Sequence, residues 1–331
     1  MKNPTGVVGL AEIARIAGVS RATVSRALSD SNVVAKETKV RIQALAREHG
    51  MRLNQAASAL RTKRTGAIGV VIPLGHEADQ HLSDPFFMGL IAPLADRLAD
   101  AGYDLLLSRV IPHDPDWLAE RVEAGRVDGA IVIGQSDQTA VIEQVAGRYT
   151  PLVVWGARVA GGRQITVGSD NRAGGRVAAE HLLARGRRRL AFLGNPAAPE
   201  FAERLAGFRS VGGEEAIVLP LHLTTEEAFQ EFASFLASHP APDGIVAASD
   251  VIAMSAVRAL AERGFRVPDD VSVIGYDDIP VAKHTTPPLT TVRQDMDQGA
   301  ALLVDLLLRR MRGETVESIE MAPELIVRGS S

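Results

Sequence analysis

The stretch LAEIARIAGVSRATVSRAL, residues 10–28, constrains this chain more than any other. Apolar positions follow a helical period twice, through Leu10, Ile13, Ala14 and Ile16, then Val19, Val24, Ala27 and Leu28. Ala17-Gly18-Val19 reads as the tight turn between them, with Gly18 supplying the permissive backbone. Ser20 is placed to cap the second helix, with Thr23 three residues on. The remaining face carries Arg21, Ala22, Ser25 and Arg26, small or polar residues able to enter a DNA major groove. An unrelated helical hairpin shares the periodicity but seldom combines cap, turn glycine and an Arg/Ser face. The coincidence predicts a helix-turn-helix.

Charge points the same way. Residues 1–64 hold twelve Lys and Arg against four acids, a net +8, so the remainder carries −12 of the overall −4. A basic head on an acidic body suits a polyanion-binding module whose partner domain avoids the polyanion. Length of 331 residues and 46% hydrophobic content predict two or three domains with a sizeable core. No run is long enough to span a bilayer and no leader is recognised, so a cytoplasmic protein without membrane contact is expected. Cysteine is absent, which excludes disulfides, thiolate metal sites and cysteine nucleophiles.

A third helix is predicted over residues 36–49, with Val40, Ile42, Leu45 and Ala46 inward and Gly50 as its cap. NQAASALRTKRTG, residues 54–66, is too poor in apolar residues for a core of its own. It reads as a linker, although Asn54 could cap a short helix that forms on packing. From Gly66 short apolar runs alternate with helical periods. Strands are expected at 67–73, 103–109, 129–134, 151–156, 164–168, 189–194, 216–220, 244–249 and 271–276. Helices are expected between most of them, at 86–101, 114–125, 136–147, 171–186, 200–209, 225–238 and 250–264, and at 295–313. Such a number of strands exceeds one comfortable sheet, so two doubly wound parallel-sheet subdomains are predicted, with a cleft at their carboxyl edges.

The helix-turn-helix, VVAKET, the linker with Leu60, RLAGF (204–208), ASDVIA (248–253), DDVSVIGYDD (269–278) and PPLTTVRQD (287–295) together resemble the lactose/galactose repressor (LacI/GalR) family, in order and over essentially the whole chain. The resemblance implies a homodimeric bacterial transcription regulator with an all-α head and a periplasmic-binding-protein-like core. It implies a DNA-binding domain at 8–53, a hinge at 54–65 and an effector-binding and dimerisation core at 66–331. Within the core, an N-subdomain of about 66–167 plus 295–322 would face a C-subdomain of about 168–294 plus 323–331. By similarity, Arg21 and Ala22 read base edges and Arg26 supports base or phosphate contact. Ser20, Thr23, Ser25 and Asn32 position the DNA backbone, with Asn54 in the hinge, and Leu60 wedges into the minor groove. Met51 and Leu53 depart from the aromatic and proline usual before the hinge.

For the cleft, the resemblance supplies Asp170, Arg204, Asp250 and Asp277 as polar ligand groups, with Phe86 and Phe87 across from them. Trp155 and Gln294 are further candidates; Ser108, Arg109 and Gln135 are weaker ones at strand ends. Hydroxyl-rich sugars are held by such polar groups beside an aromatic ring. Asp170 and Asp250 also suit helix N-caps, with cap and ligand contact weighing equally for Asp250, and one of the two phenylalanines is expected to face the cleft. A ring common in relatives falls near Leu223. His76 and His81 with Asp79 and Asp84 fit no metal-site spacing, and no metal or cofactor is expected.

The function expected is a repressor of a carbohydrate-utilisation operon, released from a pseudo-palindromic operator by a mono- or disaccharide. A corepressor-activated relative with a purine-like ligand is the alternative; a free-standing sugar-binding protein is less favoured. An enzyme is not expected, since no G-x-G-x-x-G follows the first strand and no P-loop or nucleophile–base pair occurs. With no heptad tail after ELIVRG, a dimer rather than a tail-mediated tetramer is expected.

Overall fold

The computed structural model describes residues 9–28, 33–49, 51, 64–74 and 81–331. The chain divides into two compact units, Met1–Thr65 and Gly66–Ser331. The expectations for Asn32, Gly50, Leu53, Asn54, Leu60, His76 and Asp79 lie outside the described residues.

In the first unit α1 (Leu10–Ala17), α2 (Arg21–Leu28) and α3 (Lys36–Glu48) enclose Ile13, Ala14, Ala17, Val24, Ala27 and Ile42. Gly18 ends α1 with φ 67°, the left-handed cap that a side chain would strain. Arg41 donates to the Ala17 carbonyl at 3.0 Å and Gln43 to the Ala27 carbonyl at 3.2 Å, so α3 satisfies helix ends that the turns leave open. Val40, expected inside, is instead 54% exposed: the core stripe of α3 runs through Ile42 and Ala46.

The second unit holds two six-stranded sheets. The first has the order β11-β5-β4-β3-β1-β2, from β1 (Ala67–Pro73), β2 (Asp104–Val110), β3 (Gly129–Ile133), β4 (Leu152–Trp155), β5 (Ile165–Ser169) and β11 (Ile319–Met321). All its pairs are parallel. The second has the order β12-β10-β9-β8-β6-β7, from β6 (Leu190–Leu193), β7 (Ile217–Leu219), β8 (Gly244–Ala247), β9 (Ser272–Asp277), β10 (Thr290–Arg293) and β12 (Glu324–Ile326). Only its β10–β12 pair is antiparallel.

Helices cover both faces, which is why the central strands read as unbroken apolar runs. On the first sheet, α4 (Pro85–Asp100) and α11 (Met296–Met311) pack on one face. Trp117, Leu118 and Val122 of α5 (Trp117–Val122) and Ile142 and Val145 of α6 (Thr139–Ala146) close the other. The second sheet shares a single core with α7 (Asn171–Ala184), α8 (Pro199–Gly212), α9 (Thr225–Ser238) and α10 (Asp250–Glu262). Strands β10, β11 and β12 go beyond those expected from the sequence. Three or four residues carry no readable period, and β10 begins with two threonines buried by its neighbours. Among the described residues no helix is long and apolar enough to cross a membrane.

Candidate functional site

On the head, Arg21, Ala22 and Arg26 are exposed along α2, while Thr23 and Ser25 are half-buried and Val24 and Ala27 face the core. Ser20 Oγ accepts from the Thr23 amide at 3.0 Å and lies 2.9 Å from Thr23 Oγ1, so both hydroxyls hold the start of α2. The result is a short capped helix presenting two arginines on either side of an alanine.

In the second unit a cleft opens where the carboxyl ends of both sheets meet, about 690 Å³ of space that is in part open to solvent. Strand ends and helix starts converge there because parallel strands all release their loops on one edge. From the first sheet come Leu74, Ile133, Ser136 and Trp155, with Asp84, Phe86 and Phe87 from the start of α4. From the second come Glu200, Phe201 and Arg204 of α8, with Leu223, Ser249 and Asp277. Phe86 and Phe87 both border the cleft, edge to face with ring centres 5.6 Å apart, and Trp155 stands 6.4 Å from Phe86. Asp84 also caps α4, accepting from the Phe86 amide at 2.9 Å.

Arg204 is the buried cation of the wall, its side chain 5% exposed. Nε donates to Asn171 Oδ1 at 2.8 Å and Nη1 to the Ala248 carbonyl, while the guanidinium lies 3.7 Å from the Tyr276 ring centre. Asp277 Oδ1 is 3.9 Å from Nη1 and accepts from Gln294 Nε2 at 2.6 Å. A planar guanidinium held by three fixed partners presents its charge with little rotamer freedom left to lose. Glu200 adds a carboxylate oxygen that is buried and has no hydrogen-bond partner among the described residues. Asp84, Glu200 and Asp277 against Arg204 make the wall acidic, and the aromatic rings give it apolar faces.

The structure brings Phe86, Phe87, Trp155, Arg204 and Asp277 together on the cleft. Gln294 acts behind Asp277. Asp170 and Asp250 do not reach the wall. Asp170 caps α7 by accepting from the Ala173 amide at 2.8 Å. Asp250 is fully buried, accepting from Thr291 Oγ1 at 2.6 Å and the Ile279 amide at 2.9 Å, and the cap of α10 is Ser249. Ser108 and Arg109 sit on the edge strand β2, and Gln135 turns away to donate to the Ala157 carbonyl at 2.9 Å. Glu200, Phe201, Asn171, Ser136 and Ser249 are additions that the sequence reading misses. Glu200 and Phe201 stand just before RLAGF in the first turn of α8, where no local pattern marks a residue as facing the cleft. Among the described residues no cluster suited to a metal ion occurs.

Burial pushes the Asp277 carboxyl up to about 7, with Arg204 and Gln294 opposing. Burial and the Asp277 charge likewise raise Asp250. A carboxyl raised in the folded state stabilises fully below the ordinary aspartate pKa, and that contribution is lost as pH rises through about 7. Urea unfolding between pH 5 and 8 should therefore show the wild type losing stability relative to Asp277→Asn, by a few kcal/mol. Parallel pH profiles would contradict this.

A family model described as bacterial regulatory proteins, lacI family, matches residues 9–54, and one for a periplasmic binding protein-like domain matches 179–331. The HTH-type transcriptional regulator CelR of Thermobifida fusca is 32% identical, over 96% of each chain. A lac repressor dimer bound to operator and an anti-inducer superposes with TM-score 0.85 at 27% identity, covering 98% of this chain and 99% of that one. A CelR–cellobiose complex gives TM-score 0.70 at 29% identity, covering 98% and 100%. With a helix-turn-helix head, a two-sheet core and full-length relatives that are transcriptional regulators, this chain belongs to the LacI family of bacterial transcriptional regulators.

Proposed function

We propose that this regulator is a homodimeric repressor of a carbohydrate-utilisation operon, released from a pseudo-palindromic operator when a neutral mono- or disaccharide occupies the cleft. The observation that carries the reading is the wall itself: Asp277, Glu200 and Arg204 line a space bordered by Phe86, Phe87 and Trp155. Carboxylates accept from sugar hydroxyls, an arginine donates to them, and rings cover the apolar sugar face. The acidic balance favours uncharged over phosphorylated ligands. The cellobiose held by the CelR structure supports a ligand of this size. Arg21 is suited to bidentate contact with guanine and Ala22 to a thymine methyl; Leu60 would wedge the central step of the operator. Ligand and operator must favour different arrangements of the core, and their antagonism is then reciprocal.

A thermal-shift screen of mono- and disaccharides, cellobiose included, tests the cleft, since a bound ligand raises the melting temperature by mass action. Anisotropy titration of the promoter fragment with and without the hit then gives the sign. Release on binding is expected; tighter binding would make the sugar a corepressor and overturn the proposed sign, whereas a purine-like ligand would remain the alternative only if no sugar raised the melting temperature. Arg21→Ala should weaken specific operator binding by about 1–3 kcal/mol while the sugar-induced melting shift stays as in wild type. Equal loss on operator and scrambled duplex would remove Arg21 from base readout.

A further inference from the structure

Three crossovers carry the chain between the two sheets, after Ser169, after Arg293 and after Met321. They are bonded to one another. The Asp170 amide donates to the Met321 carbonyl at 2.9 Å, joining the first and third. Arg293 Nη1 meets Glu324 Oε2 at 3.0 Å, a cross-strand pair of β10 and β12 at the edge where the second crossover leaves the sheet and the third arrives. Arg293 also turns Nε to Asp278 Oδ2 at 2.8 Å, and Arg328 Nη2 reaches Asp278 Oδ1 at 2.6 Å. Arg328 in turn donates to the Leu289 carbonyl at 2.8 Å, just ahead of β10.

Asp278 is therefore the node of this set, its side chain only 9% exposed and both oxygens engaged by arginines. Its neighbour in sequence is Asp277 of the cleft wall. Both have positive φ, 117° and 58°, conformations that non-glycine residues keep only where the surroundings over-determine them. The Gln294 amide, the first past β10, closes on the Asp277 carbonyl at 3.3 Å. A two-residue strained turn thus has one carboxylate at the ligand space and the other on the crossovers.

We propose that Asp278 is a positioning residue that locks the second and third crossovers together where they meet the second sheet and couples their geometry to Asp277. The proposal rests on the reading of the cleft as the effector site. An effector that pulls on Asp277 moves a turn whose next side chain holds the second crossover directly and the third through Arg293. Asp278 need not touch the ligand.

Hydrogen exchange on the ligand-free full chain tests the lock without requiring a known effector. In Asp278→Asn, amides in segments 276–280, 293–296 and 321–324 should exchange roughly tenfold faster as charge-assisted bonds are lost. Amides inside β3 and β8 should keep their protection. Arg293→Gln, at a side chain 41% exposed, provides a second variant should the first fail to fold, with the same pattern expected. Arg293→Lys should recover much of the protection, since one charged donor remains. Unchanged exchange at the crossovers, or acceleration spread evenly over 66–331, would overturn the lock. A wild type that responds to no sugar in the thermal screen would instead refute the effector reading, and the exchange pattern of the ligand-free chain does not depend on that outcome.

Discussion

Arg204→Ala is expected to lower the melting temperature of the second unit by roughly 10 °C, for a loss of about 3–5 kcal/mol, and to abolish the sugar-induced shift. The substitution removes the buried cation from a wall that keeps Asp277, and behind it Asp250, out of water. Asn171 Oδ1 and the Ala248 carbonyl lose their donor together, and the Tyr276 ring loses the guanidinium stacked on it. Breaking one side of a buried charged network costs more than the network itself contributes, because the remaining groups stay desolvated. Arg204→Lys separates the parts: the charge survives, but a single ammonium cannot serve Asn171, Ala248 and the ring at once. It should fall between wild type and alanine in stability while still losing effector affinity. Calorimetric melting with and without the sugar hit checks both statements. A variant as stable as wild type would show that the guanidinium is dispensable to the wall.

Gly175→Val should be more damaging still, destabilising by more than about 4 kcal/mol and leaving little soluble regulator. A Cβ at Gly175 would fall on the Arg204 carbonyl oxygen, and one at Gly207 on the Arg172 carbonyl oxygen. Helices α7 and α8 thus cross backbone to backbone through two reciprocal glycines, and backbone cannot rotate away as a side chain can. Since α8 carries Glu200, Phe201 and Arg204, parting the helices also displaces half of the cleft wall. The sign is informative. Replacing glycine within an ordinary helix by alanine stabilises by about 0.5–1 kcal/mol, whereas Gly175→Ala should destabilise, in the opposite direction to propensity. Urea unfolding of Gly175→Ala, followed by circular dichroism, decides it; a gain in stability would mean the helices can separate freely.

The two features share a cause. RLAGF stands out in the sequence as a motif of the family resemblance and Asp170 as a ligand candidate, yet Gly207 within that motif and Gly175, five residues after Asp170, act by allowing the close crossing that sets Arg204 against Asn171. Asp250 is the converse case. An aspartate after VAAS suits a ligand contact or a helix cap by its local pattern alone. Its use is decided by Ile279 and Thr291, which lie 29 and 41 residues away in the chain and are brought near by the β8-β9-β10 order of the sheet. Glu200 and Phe201 escape a linear reading for a similar reason: nothing local separates a first-turn glutamate that faces a cleft from one that faces water.

From the sequence alone came the helix-turn-helix head, the charge division, the doubly wound class of the core and the family resemblance, because each is written in local periodicity, capping chemistry or ordered motifs. Helical and strand periods survive in a linear reading, since they arise from neighbours a few residues apart. The strand order, the three short strands β10, β11 and β12, the occupants of the cleft wall and the bonding of the crossovers through Asp278 and Arg293 required the tertiary structure. Those features depend on which distant segments share a sheet edge, and a buried carboxylate takes its role from whichever donors the fold delivers to it.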